Sequence, residues 1–341
     1  MPASLSPARA STTPPAPELP AWLSFDCPEP STQRVITRYL RYLAPGLAHL
    51  GPEPARLAVH TVPIEDLPRI PPGTPTRPAR GRYRVARLGN HFVYSADGQG
   101  VLRLDAAAAT ASIWTTSDDS AEAGVVSGLV SIALLELASH RGFFGLHAAA
   151  VTRDGVGYLL PGASGSGKSS LCLTMVRDGF RYLTDDFVLL TGGLDNLRCV
   201  PFFRTFNLDV AWAERFPELS FIQDLPPVHG KRMVDPELCY PGSRTDSFCP
   251  TYLLFPTIVA RPESTVRRIT RHDAFCRLLP QSRLSADART AETNVRTLET
   301  LARESIAFEL LHGGDFLGAP PGTLRRLLES CRRNHIASTS P

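Results

Sequence analysis

The sequence predicts a mixed α/β protein with α+β character, made of an N-terminal α+β part and a C-terminal part built around one glycine-rich loop. Three observations carry this. Residues 83–115 contain strand-like runs separated by turn signals. The apolar run "GVVSGLVSIALLELA" (124–138) then reads as a buried helix. Beyond it, strand and helix patterns alternate on both sides of "LLPGASGSGKSSLCL" (159–173).

Residues 1–20 are rich in Pro, Ala and Ser and are expected to lack fixed structure. Residues 21–140 are the expected accessory domain, with no chemistry visible in its sequence. Within it, "STQRVITRYLRYLAPGL" (31–47) has helical apolar spacing and "PIEDLPRIPPGTPTRPARG" (63–81) reads as a proline-rich connector. The runs "RYRVARLG", "HFVYSADG" and "GVLRLDAAAATASIWT" predict an antiparallel meander, and the buried helix is expected over 119–140.

Residues 141–335 are the expected second domain. There "FGLHAAAV" and "VGYLLPG" flank "TRDG", whose Asp154-Gly155 pair favours a tight turn, so the strand entering the loop is the second arm of a hairpin. "KSSLCLTMVRDG" predicts a helix ending near Gly179, "FRYLTDDFVLL" a strand, and "LTGGLDNLRCVPFF" a turn into another strand. Then follow "TYLLFPTIVA" (strand), "RHDAFCRLLPQ" and "ADARTAETNVRTLETLARES" (helices), "IAFELLHGG" (strand) and "PPGTLRRLLESCRR" (helix). Residues 336–341 are a tail.

Composition narrows the classes. A net charge of +3 on 341 residues gives no electrostatic footprint, so neither nucleic acid nor a membrane surface is expected as a partner. The longest apolar run contains Glu136 and is too short to span a bilayer. Seven dispersed cysteines without paired metal spacing predict reduced thiols, and the N-terminal sequence lacks the apolar core of a secretory signal; together these predict a cytoplasmic protein. Among 36 basic residues only Lys168 and Lys231 are lysines, which draws attention to both.

Gly162, Ala163, Ser164, Gly165, Ser166, Gly167, Lys168 and Ser169 match G-x4-G-K-[ST], with Ser170 next in the helix. Glycines at this spacing let backbone N–H groups converge on a phosphate, and the helix N-terminus adds its positive end. Lys168 is expected to bridge the β- and γ-phosphates and the Ser169 hydroxyl to ligate Mg²⁺, so the expected ligands are ATP and Mg²⁺. Asp185 and Asp186 follow at the end of the next predicted strand. Successive strand residues face opposite ways, so both carboxylates reach one site only if the strand ends or bulges there. One can then hold the metal while the other accepts a proton from an attacking hydroxyl; the residues themselves do not rank the two.

Three further residues are candidates. His147, on the first hairpin arm, can be brought near the phosphates or the aspartates, although a lone histidine on an apolar strand is more often core. Arg204, inside "VPFFRTF", can stack on rings or reach a phosphate. Lys231 follows "LPPVHG" and is a candidate for phosphate or substrate. The pairs Arg325-Arg326 and Arg332-Arg333 read as a solvated helix face.

The chain has no distant apolar strand ending Asp-Glu, no LSGGQ-like helix start and no N-K-x-D base-reading motif, which excludes motor, transporter and small-GTPase classes. Residues 146–190, "LHAAAVTRDGVGYLLPGASGSGKSSLCLTMVRDGFRYLTDDFVLL", instead resemble the HPr kinase/phosphorylase family, especially the divergent HPr-kinase-like proteins associated with peptide-modification clusters. That family shares its core with phosphoenolpyruvate carboxykinases. The resemblance implies ATP-dependent phosphorylation of a serine-type hydroxyl on a protein or peptide, and assembly as a homo-oligomer. By the same carry-over Lys168 and Ser169 bind phosphates and Mg²⁺, Asp185 is the base with His147 beside it, and Asp186 is the metal-side carboxylate. The family's glutamate-containing E-x-R-G-x-G signature is replaced by "VPFFRTFNLD", so the reverse, phosphate-removing reaction is not expected. The alternative expectation is a nucleotide-binding regulatory or accessory protein of a biosynthetic complex, without phosphotransfer. A carboxykinase-type small-molecule enzyme is disfavoured because its larger ligand set is not apparent.

Overall fold

The computed structural model describes residues 22–40, 43, 54–79, 82–96, 98–116, 123–193, 196–227 and 231–316. The expected tails at 1–20 and 336–341 lie outside these residues, as does the expected helix at 320–333 with its arginine pairs. The fold is mixed α/β with two large mixed sheets and one small ribbon.

Alternating apolar residues and tight turns fold 83–115 into a meander, as expected, but with four strands. β4 (Tyr83–Leu88), β5 (His91–Ala96), β6 (Gly100–Asp105) and β7 (Thr110–Thr115) pair antiparallel in order. The run that was expected to be one strand breaks at 106–109, where Ala109 adopts φ 52°. Three strands were not anticipated here. β1 (Leu23–Asp26) and β2 (Ala55–Thr61) add in parallel beside β7, and the proline-rich connector contains β3 (Thr76–Pro78), paired to β4. Proline is tolerated there because β3 is an edge strand. The sheet order is β1-β2-β7-β6-β5-β4-β3.

Two helices cover this sheet, α1 (Pro30–Leu40) and α2 (Ala123–Ser139). α2 is apolar over most of its surface because most of it is buried between the two sheets. It packs on β6 and β7 and also on β8 (Phe144–Arg153) of the second sheet. One hydrophobic cluster therefore runs from Leu57 and Ile113 in the first sheet, through Leu129 and Leu134, to Phe187, Leu189 and Phe202.

The second sheet has the order β12-β11-β8-β9-β15-β17-β16, with β10 also on β8. β8 and β9 (Val156–Pro161) form the predicted hairpin. Its turn residues Asp154 and Gly155 both have positive φ, 50° and 75°, the backbone an Asp-Gly pair tolerates best. α3 (Lys168–Arg177) follows the loop and stops at Gly179, φ 88°. β15 (Pro250–Ile258) and β17 (Ile306–His312) continue the sheet in parallel with β9, and β16 (Thr265–Arg268), not read from the sequence, closes the edge. α5 (Arg271–Leu278) and α6 (Ala288–Glu304) lie where expected, each N-capped by a side chain, Thr270 and Asp287. "FRYLTDDFVLL" is not one strand but two, β10 (Arg181–Thr184) and β11 (Phe187–Thr191), and β12 (Arg198–Pro201) pairs with β11. A short helix, α4 (Trp212–Arg215), precedes the ribbon's second strand; β13 (Phe206–Leu208) and β14 (Arg232–Val234) make that ribbon. Among the described residues no helix is long and apolar enough to cross a membrane.

Glu136, the acidic residue inside the apolar run, is a buried tie between both parts. Its carboxylate accepts from Tyr94 of β5 at 2.5 Å, from the Ser285 hydroxyl at 2.6 Å and from the Ala286 backbone at 2.9 Å. Burial, then the Glu136 charge, pushes the Tyr94 hydroxyl far above its ordinary pKa, so it stays a donor. Glu136→Ala strands three buried donors and is expected to lower stability by about 2–4 kcal/mol in urea titrations. Tyr94→Phe should cost less, and the double variant less than the sum, since both changes act on one network.

Candidate functional site

β9, β15 and β17 run parallel, so their carboxyl ends line one edge of the sheet, where open α/β sheets place ligands. The glycine-rich loop 162–167 leaves the end of β9 there. Gly167 takes φ 95° at the N-cap of α3 and no side chain caps the helix, so its first N–H groups point into the loop. Two of the loop's glycines leave no room for a side chain: a Cβ on Gly167 would sit 2.2 Å from His312 Nε2, and one on Gly162 2.6 Å from Ser166 Oγ. Lys168 is buried, and its ammonium donates to the Gly162 and Ala163 carbonyls at 2.8 and 2.9 Å. Ser166 Oγ is buried without a hydrogen-bond partner among the described residues. A cradle that excludes Cβ atoms, an ammonium pinned at its mouth and an orphaned hydroxyl fit a bound phosphate group. Ser170 lies in the first turn of α3, where its carbonyl accepts from Thr174.

The strand break falls at Asp185 and Asp186. β10 and β11 both pair antiparallel with β8, Thr184 opposite Ala150 and Phe187 opposite His147, and the two aspartates occupy the bend between them. Asp185 is 1% exposed. The Asn207 backbone N–H donates to its Oδ2 at 3.1 Å, and Ser169, in the first turn of α3, acts to lower its pKa. Tyr182, 3.4 Å from Oδ1, spends its proton on the Thr205 carbonyl at 2.6 Å. Burial and then the Asp186 charge raise the Asp185 carboxyl to about 6.

Asp186 is different. Its side chain is 41% exposed, and its Oδ1 lies 3.1 Å from His147 Nε2. Burial works against its charge, but the hydrogen bond and charge of His147, with Lys168 and Lys231, outweigh it and hold the pKa below the ordinary carboxylate value. His147 is fixed from both sides: its ring stacks on Phe187 at 5.5 Å and its Nδ1 faces the Gln281 amide at 3.4 Å.

Two cavities open beside these residues. The larger, of about 710 Å³, is walled by Ala163 and Ser164 of the loop, by Gln281 and by Arg77, Tyr94 and Glu136. The smaller, of about 390 Å³, is walled by Asp186, Phe187, Asn207 and Lys231 and by Tyr39 and Ser131 of the N-terminal helices. Arg283 borders both, its guanidinium 5.3 Å from the Phe187 ring.

Of the sequence candidates, the fold thus gathers the loop, Asp185, Asp186, His147 and Lys231. Arg204 goes elsewhere: it pairs with Asp246 at 2.6 Å and lines neither cavity. Five residues at the site were not anticipated: Tyr39, Asn207, Gln281, Arg283 and His312. His312 had one available signal, its place at the end of a strand that can run parallel to the loop strand. Its ring is buried, which lowers its pKa against the opposing backbone bonds of Ser166 and Gly313.

No family model and no curated protein matches the chain. Among solved structures it is similar to the Hpr(Ser) kinase/phosphatase from Coxiella burnetii, with 14% identity, 57% of this chain and 91% of that chain covered, and a TM-score of 0.31. What the site can do therefore follows from this chain's own residues.

The raised Asp185 pKa gives a stability test. The native state holds that proton more tightly than the unfolded chain, so as pH rises from 3.8 to about 6 this group's contribution falls, and the deficit is complete above that window. In metal-free protein, Asp185→Asn is expected to raise the melting temperature by about 2–8 °C near pH ~7.5, with the gain shrinking as pH falls and vanishing only below 3.8.

Proposed function

We propose that the chain transfers the γ-phosphoryl group of Mg·ATP to a serine-type hydroxyl of a protein or peptide. The observation that carries this is the bend at Asp185-Asp186, which sets two carboxylates of unlike surroundings beside a phosphate-sized loop. Lys168 and the backbone N–H groups of 162–169 bind the phosphates in this scheme. Ser169 and Asp185, whose side chains are near enough for the hydroxyl to favour the carboxylate, are the pair suited to Mg²⁺. When bound, that ion supplies charge neutralisation on the β- and γ-phosphates.

Asp186 is the group suited to proton transfer. It faces an open cleft, His147 orients it, and its lowered pKa keeps it ionised at neutral pH. This reverses the division that the family resemblance implies, and burial is the reason: Asp185 is sealed from any incoming hydroxyl. The acceptor oxygen attacks the γ-phosphorus and its proton passes to Asp186. The bond from phosphorus to the bridging oxygen breaks, and ADP and a phosphate ester leave. Lys168 and Lys231, the two lysines of the chain, offset charge on the phosphoryl group, through whichever contacts Lys231 makes from the cleft wall.

The test is incubation with γ-labelled ATP, Mg²⁺ and serine-bearing peptides and proteins. Label on serine is the expected result. Asp186→Asn should lower transfer by about 10²–10⁴-fold while leaving ATP affinity within a few-fold. Lys168→Ala should abolish ATP binding. Tight Mg²⁺-dependent ATP binding with neither transfer nor hydrolysis would instead make the chain a nucleotide-dependent regulator.

A further inference from the structure

The smaller cleft is built jointly by the two parts of the molecule. Asp186, Asn207 and Lys231 stand on one wall, and α1 and α2 of the N-terminal part supply the other. Tyr39 of α1 hydrogen-bonds Ser131 of α2 and lies within electrostatic reach of Asp186. The aromatic rings of Phe187, Phe202 and Phe203 line the floor, packed edge-to-face on one another. On the opposing face of α2, Gly124, Ser127 and Ser131 keep the wall low.

We propose, resting on Asp186 as the proton acceptor, that this cleft is the acceptor subsite and that its occupant is an extended peptide segment carrying a serine-type hydroxyl next to an apolar side chain. Three properties select that occupant. A concave site of about 390 Å³ takes one side chain with its immediate neighbours, whereas a folded partner docks on a broad face of about 800 Å². The ring floor rewards an apolar neighbour with burial. The charged groups on the walls are Asp186, already answered by His147, together with Lys231 and Arg283, so a basic neighbour meets like charge. The N-terminal part is then a specificity element that completes the acceptor site.

Gly124 lines the cleft and can carry a side chain without disturbing the fold. It is exposed in the first turn of α2, and a Cβ added there meets nothing within 4 Å. Short synthetic peptides, each with a single serine, are compared with apolar, acidic or basic flanking residues, using γ-labelled ATP. Wild type is expected to label the apolar-flanked set best and the basic-flanked set least. Gly124→Leu is expected to raise KM for the apolar-flanked peptide about 10–100-fold while KM for ATP, slow ATP hydrolysis and the melting temperature hold. An unchanged peptide KM in Gly124→Leu overturns the subsite but leaves phosphotransfer standing. So does label that enters only a folded protein, or only serines of the chain itself. Absence of both transfer and hydrolysis in wild type overturns the phosphotransfer reading and the subsite together.

Discussion

The site depends on one strand. β8 is ten residues long, buried along nearly its whole length, and must satisfy the backbone groups of both its edges. β9 covers one edge from Ala148 to Arg153, and the segment at 282–283 meets that edge at Gly145 and Leu146. The other edge is shared by β10 and β11, two short strands that meet opposite the middle of β8. Where they meet the chain bends, and the strict alternation of side chains lapses for two residues. Those residues are Asp185 and Asp186. Without the break one carboxylate would point toward α3 and the other toward α5 and α6. With it, Asp185 stays against Ser169 while Asp186 swings to His147 on the same side of the sheet.

The same geometry explains why two adjacent aspartates have opposite character. Asp185 has given up solvent for the backbone N–H of Asn207, and burial dominates its energetics. Asp186 keeps solvent and gains a histidine. Pairs of carboxylates driven apart in this way are a common route to divided chemical roles. The stability sacrificed at buried Asp185 and the orphaned Ser166 hydroxyl are two costs that this one site carries.

The N-terminal part turns out to be joined to this site rather than beside it. α2 shares its hydrophobic cluster with β11 and with Phe202 and Phe203, and Glu136 ties β5 to the segment at 285–286. That segment continues from Gln281 and Arg283, which contact His147 and Phe187. The domain boundary expected near 140 therefore falls between α2 and β8, two elements that pack directly on each other.

Local patterns were legible wherever the physics is local. The hairpin at Asp154-Gly155, the loop ending in Gly167-Lys168, the stop at Gly179 and the buried character of 124–138 follow from turn chemistry, glycine spacing and hydrophobic run length. The need for a break at Asp185-Asp186 followed from strand alternation, although "FRYLTDDFVLL" still read as one strand because its apolar pattern continues across the bend. Edge and parallel strands such as β1, β2, β3 and β16 were missed, since their pairing is set by distant partners and not by their own composition. Arg204, read as able to stack on rings or reach a phosphate, pairs with Asp246, 42 residues away, a partner its local sequence does not announce. Tyr39, Asn207, Gln281, Arg283 and His312 carry no motif and reach the site through packing alone. The sequence by itself determined a loop able to hold phosphates and the carboxylates and lysines to accompany it, because backbone turns and residue type are local properties. Which aspartate is sealed and which is open, and that a helix from the N-terminal part walls the cleft, was decided only by tertiary structure, because burial and charge environment are made by residues remote in the chain.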